Sequence, residues 1–196
     1  MIINFWLSNF YFLLLPPKFW EERIVDYLKN FVIPFRGLKI DVHHFDFVMN
    51  NKFFEAIEYA ELKKGLVDVS LDLIKQERMM IFEFNLKGSV EVLCDRCLEP
   101  FDQSIEGYEK LIVKYGEKFE EQSDEVIIIS ESDFEFNISP YIYEFINLLL
   151  PMQHIHPDDE NGNSTCDKDM LDRLSSNDIE HESDPRWDVL KNLKNK

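Results

Sequence analysis

From Leu66 to Ile74, apolar residues alternate with Asp68, Ser70 and Asp72. A period of two places the two sets on opposite faces of an extended chain, so the segment reads as a strand buried on one side. "MMIFEFNLKG" repeats the pattern with Ile81, Phe82, Phe84 and Leu86. "SVEVLC" follows directly after Gly88, and "SIEGYEKLIVKYG" is a further strand beyond it. Long one-sided strands joined by short connections predict an antiparallel meander.

The flanking segments complete the expected fold. "FVIPFRGLKIDVHHFDF", with Pro34 and Gly37, suits an edge strand followed by a turn. In "NNKFFEAIEYAEL" either asparagine can cap a helix whose residues Phe53, Phe54, Ile57 and Ala60 share one face, stopped by Gly65. "EKFEEQSDE" reads as a solvated loop, "VIIIS" as a short strand and "DFEFNIS" as an extension of the sheet. Ser139-Pro140 opens a second helix, with the hydroxyl as cap and proline in the first turn. Its stripe of Ile142, Phe145, Ile146, Leu149 and Leu150 is expected to pack on the sheet, and Pro151 ends it. The expected class is α+β: an antiparallel β-sheet, as a meander or partly closed barrel, with a packed helix and a short C-terminal helix.

Four segments follow. Residues 1–26 are an apolar N-terminal extension, ended at Leu15 by Pro16-Pro17. It lacks a basic leader and a cleavage site, and it is short for a bilayer span. It reads as a start assigned too far upstream, with a membrane or partner anchor and a divergent signal peptide as the alternatives. Residues 27–156 form the α+β domain, and 157–183 an acidic, mobile segment. Residues 184–196 form a docking helix capped by Asp184, with Trp187, Leu190 and Leu193 on one face.

A hydrophobic content of 45% over 196 residues supplies a core, and the net charge is -17. Such a surface repels phosphate backbones and favours basic partners, so DNA and sequence-blind RNA binding are not expected. No Gly-rich phosphate loop, Ser/His/Asp set or acid–base carboxylate pair stands out, and the chain is expected not to be an enzyme.

Three cysteines, an odd number, suit a reducing cytoplasm rather than a disulfide framework. Cys94 and Cys97, in "LCDRCLEPF", sit in the turn between two strands. A C-x-x-C turn points two thiolates at one tetrahedral ion, and two further ligands are needed. His154, His156 and Cys166 follow the second helix; with Cys94 and Cys97, one histidine and Cys166 complete a zinc set. The spacing from His156 to Cys166 matches no common zinc module, so an occupied site and an empty one both stand. A redox dithiol is disfavoured, because the pair is not at a helix N-terminus and lies beside Asp95 and Glu99.

"CDRCLEPF", "LLLPMQHIH" with its later cysteine, and the terminal "DPRWDVLKNLK" resemble the YceD family, described as large ribosomal RNA subunit accumulation proteins. The opening "YLKNFVIPFRGLKIDVHHFDFVMNNKFFE" looks like that of members from Bacteroidetes-type bacteria. The resemblance runs from Tyr27 to Lys196. It implies a cytoplasmic, non-enzymatic factor for the accumulation or processing of large-subunit (23S) rRNA. The implied partners are a basic large-subunit ribosomal protein or a pre-ribosomal particle, with rRNA reached directly or only through them. Many relatives carry a second C-x-x-C pair after the helix. Here Cys94 and Cys97 match the first pair, while His156 and Cys166 fall where the second would lie, with zinc as the implied ion. The alternative is a zinc- or thiol-dependent protein of RNA metabolism.

Overall fold

A computed structural model describes residues 27–58, 60–123 and 125–176. The expected N-terminal extension (1–26) and C-terminal helix (184–196), and the end of the acidic segment (177–183), lie outside the described residues. The chain divides into two compact units. One comprises the chain up to Val92 together with Asp102–Met152; the other comprises Leu93–Phe101 and the chain from Gln153 onward.

The first unit is an α+β structure whose long central strands arise where the alternation placed them. It contains β1 (Val32–Ile33), β2 (Val42–Met49), β3 (Gly65–Lys75) and β4 (Met79–Leu93). β5 (Pro100–Gly116), β6 (Glu120–Ser123), β7 (Val126–Ser130) and β8 (Phe136–Asn137) follow. Six strands form an open sheet in the order β2-β3-β4-β5-β7-β6, so the sheet is not a closed barrel. β1 and β8 pair separately as a two-stranded antiparallel sheet, so "DFEFNIS" does not extend the main one. "MMIFEFNLKG" and "SVEVL" are one strand that runs through Gly88, not two.

Two local expectations are corrected. β7 runs parallel to β5, with Ile112 opposite Val126 and Gly116 opposite Ser130. "EKFEEQSDE" is not all loop: Glu120–Ser123 form β6, which pairs antiparallel with β7. All four of its side chains are exposed, so this edge strand buries nothing and leaves no alternation to read.

The inner face of the sheet holds the core. Val67, Val69, Leu71 and Leu73 of β3 and Phe82, Phe84 and Leu86 of β4 are buried. Helix α1 (Asn51–Ala56), capped by the Asn50 side chain on the Lys52 amide at 3.0 Å, adds buried Phe53 and Phe54. It ends at Ala56 rather than near Gly65, because Ile57 is already extended. Gly65 instead opens β3, where a Cβ would meet Val90 at 2.8 Å.

Helix α2 (Ser139–Leu148) buries Ile142, Phe145 and Ile146, with the Phe145 ring 5.2 Å from that of Phe84. Proline does occupy its first turn, but Ser139 is not the cap. Asn137 Oδ1 accepts from the Ser139 amide at 3.0 Å and from its hydroxyl at 2.8 Å. Leu149 reaches the sheet at Gly107, where a Cβ would stand 2.1 Å from its Cδ2. Among the described residues no helix is long and apolar enough to cross a membrane.

The outer face carries a small polar cluster. His44 Nδ1 lies 2.8 Å from Asp72 Oδ1, and its Nε2 lies 3.2 Å from Asp46 Oδ1. The hydrogen bond to Asp72 and the charge of Asp46 raise the pKa of His44 above 6.5. A folded-state pKa above the unfolded one stabilises the fold below the unfolded value, and that gain is lost as pH rises through the folded value. By NMR titration, the His44 ring is expected to show a midpoint above 6.5, and Asp72→Asn to bring it back down. A wild-type midpoint at or below 6.5 contradicts the pairing.

Candidate metal centre

The second unit is built around a turn, a loop and a helix. In the turn, the Leu98 amide donates to Cys94 O at 2.9 Å and the Cys94 amide to Glu99 O at 3.0 Å. These two bonds fold Cys94–Glu99 tightly, so that both thiols leave the same side. Closing the turn places Leu98 at φ 63, the only left-handed non-glycine among the described residues. That conformation costs a side-chain-bearing residue about 1–2 kcal/mol. The Leu98 side chain is 64% exposed and packs little, so Leu98→Gly is expected to stabilise this unit by about 1 kcal/mol. Thermal or chemical unfolding of the unit measures it; a loss of stability would show that the turn does not need this backbone geometry.

Asp95 ties the turn to the segment carrying the histidines. Its backbone amide donates to His154 O at 2.7 Å, and its Oδ2 accepts from the His154 amide at 2.7 Å. After His156 the chain makes a closed loop. Asp158 and Ser164 form an antiparallel bridge, and Gly162 takes φ 80 at the bend. The Asp159 carboxylate accepts from the amides of Asn161 at 2.9 Å and Asn163 at 2.8 Å. The Thr165 hydroxyl donates to Pro157 O at 2.7 Å. The loop brings Cys166 back beside His156, which is how an irregular nine-residue spacing closes one site. Helix α3 (Lys168–Ser176) follows at once.

The structure brings Cys94, Cys97, His156 and Cys166 together: their ligand atoms all lie within 4.8 Å of one another. Cys94 Sγ is 3.7 Å from Cys166 Sγ. His156 Nδ1 is 3.4 Å from Cys97 Sγ and 3.8 Å from Cys166 Sγ. Zinc–sulfur bonds of ~2.3 Å and zinc–nitrogen bonds of ~2.0 Å give tetrahedral edges of roughly 3.8 Å between sulfurs and roughly 3.6 Å between sulfur and nitrogen. These three separations match such edges, and the three cysteines are free thiols, the Cys94 and Cys166 sulfurs standing well beyond the ~2.05 Å of a disulfide. The donor set therefore fits a tetrahedral ion of zinc type. His154, the other candidate, is not in the group. Its backbone, not its ring, is what the site uses.

The surroundings hold the ligands in place. The three thiols are buried, with Phe101, Met170 and Leu171 packed against them. The Phe101 ring lies against the His156 imidazole, with centroids 4.7 Å apart. Burial pushes the Cys94 thiol up, but the amides of Cys97, His156 and Arg96 and the His156 side chain outweigh it and lower the pKa. Cys166 moves the other way. The Ser164 hydroxyl draws it down, but burial and the thiols of Cys94 and Cys97 outweigh that and raise it. Three thiols packed this closely cannot all ionise without a cation among them. Sequence reasoning missed Asp95, Phe101 and Asp159. An aspartate in a turn or loop is ordinarily a turn former, so nothing in the sequence singled these two out.

The fold and this group together define a class: an α+β sheet protein carrying a small Cys3His unit. The chain belongs to the YceD family. The family pattern, described as "Large ribosomal RNA subunit accumulation protein YceD", matches residues 82–194, more than half of the chain and all four clustered residues. Membership implies a role in the accumulation of large-subunit ribosomal RNA. No curated protein and no solved structure matches the chain.

Proposed function

We propose that this protein is a non-enzymatic ribosome-biogenesis factor of the cytoplasm that binds one structural zinc ion through Cys94, Cys97, His156 and Cys166. It supports accumulation or processing of 23S rRNA through contacts with a basic large-subunit ribosomal protein or a precursor particle. The observation that carries the zinc reading is the agreement of three ligand–ligand distances with the edges of a zinc tetrahedron. Four protein ligands fill a tetrahedral shell, which favours a structural ion over a catalytic one needing an open position. The buried sulfurs speak in the same direction, since a reactive thiol must be reached by its substrate. When bound, the ion supplies folding energy and no reaction step; the chain's own residues orient and shield it. A net charge of -17 supports a basic protein as the contact.

Metal analysis of the purified chain with a thiol-reactivity assay tests the first half. One equivalent of zinc with inert thiols is expected, and a fast-reacting thiol without metal refutes it. Capture from a lysate at low salt tests the second half. Enrichment of large-subunit proteins or precursor particles is expected, fading as salt rises. Failure to enrich either removes that reading.

A further inference from the structure

β2–β5 bury one face of the sheet and leave the other open. On the open face the register sets Asp46 opposite Ser70, Val48 opposite Asp68, and Asp68 opposite Lys87. These residues and Glu106 line a shallow trough of about 500 Å³. Lys87 is already engaged by Glu106 at 3.1 Å, and Asp46 reaches only the His44 ring. The Asp68 carboxylate has no hydrogen bond or ion pair among the described residues. The trough therefore holds more carboxylate than its own cation neutralises. Val48 in the trough and Leu66, two residues along β3 from Asp68 on the same face, are 51% and 58% exposed.

We propose that this trough is the docking surface for a lysine- or arginine-rich protein segment with interspersed aliphatic side chains. Carboxylates and aliphatic groups stand side by side on it, so a segment carrying both cationic and aliphatic side chains matches it in charge and in apolar contact. Asp46, Asp68 and Glu106 take the cationic groups, and Val48 and Leu66 take the aliphatic ones. RNA is a poor occupant, because the same carboxylates repel phosphate. The inference rests on the reading that the protein works through a basic protein partner, and it adds where that partner sits.

The test uses the full chain and a short fluorescent peptide of alternating lysine and valine. The wild type is expected to bind it, with affinity falling as salt rises. The variant D46N/D68N/E106Q is expected to bind about tenfold more weakly, as three exposed charge pairs of modest strength imply. The variant E117Q/E120Q/E121Q loses the same charge elsewhere on the surface and is expected to stay within about twofold of wild type. Amide shifts on peptide addition should fall on β2–β5.

Equal loss in the two variants overturns the proposal. So do shifts elsewhere, competition by single-stranded RNA of the same length, or no binding of the peptide by wild type. Capture of large-subunit particles judges the parent reading separately. If wild type and D46N/D68N/E106Q enrich the particles equally, the function stands and this surface is wrong.

Discussion

Chelating zinc from the purified protein is expected to unfold the unit formed by Leu93–Phe101 and the chain from Gln153, while the six-stranded sheet stays folded. The reason is the composition of that unit's core. It consists of three cysteine sulfurs, with Phe101, Met170 and Leu171 only partly buried against them. Helix α3 buries no residue of its own and is a nine-residue helix. Helices that short do not hold in water without tertiary packing. A structural zinc ion contributes apparent binding free energy of about 10–16 kcal/mol at neutral pH, far more than so small an apolar cluster. The first unit has its own core of buried β3, β4 and α2 side chains and does not depend on the ion.

Amide exchange before and after chelation measures the effect. Protection at Cys166 and along α3 should vanish, and protection in β3 and β4 should persist. Cys166→Ser should produce the same pattern without chelator. Retention of α3 protection in metal-free protein would show that the cluster is an ordinary apolar core. Acid should mimic chelation, because the ligands must be deprotonated to hold the ion.

Gly88→Val is expected to destabilise the sheet unit by about 3 kcal/mol or more, the upper end of what overpacking costs. Gly88 sits in the middle of β4, opposite Val67. A Cβ there would stand 2.2 Å from Leu66 O and 2.6 Å from Val67 Cα. These are backbone atoms of the neighbouring strand, so no side chain can turn away to make room. The glycine lets β3 and β4 approach closely at that point, which is a recognised use of glycine within strands. Gly37→Ala is the control: nothing lies within 4 Å of a Cβ there, and the change should be neutral within about 0.5 kcal/mol. Denaturant unfolding of the three proteins decides it, and a Gly88→Val midpoint equal to wild type would contradict the strand contact.

Much of the sheet was legible because burial on one face writes itself into the sequence. The alternation in β3 and β4 locates both strands and most of their inner residues, though Leu66 proves exposed and β4 runs on through Gly88 as one strand. β6 was not legible: its residues bury nothing, and its pairing runs through backbone groups common to every sequence. The parallel placement of β7 was hidden for a related reason. "VIIIS" shows that a strand exists, but which neighbour it pairs with depends on the path of the chain between β5 and β7. Ser139 looks like the cap of α2 in sequence, but the cap position falls on Ile138, which has no capping side chain, and Ser139 is instead held by Asn137 Oδ1.

At the metal centre, the residue types and the C-x-x-C turn identified the four candidates, since thiol and imidazole chemistry is local to each side chain. By itself the sequence determined an α+β chain, an acidic surface and a donor set suited to zinc. Convergence was another matter. The nine residues between His156 and Cys166 carry no zinc-module spacing. The site closes through bonds that no pattern encodes: within those nine residues Asp159 gathers the amides of Asn161 and Asn163, and outside them Asp95 holds the His154 backbone. Ligand identity is a property of single residues. Ligand proximity across some sixty positions is a property of loop closure, and only the tertiary structure decided it.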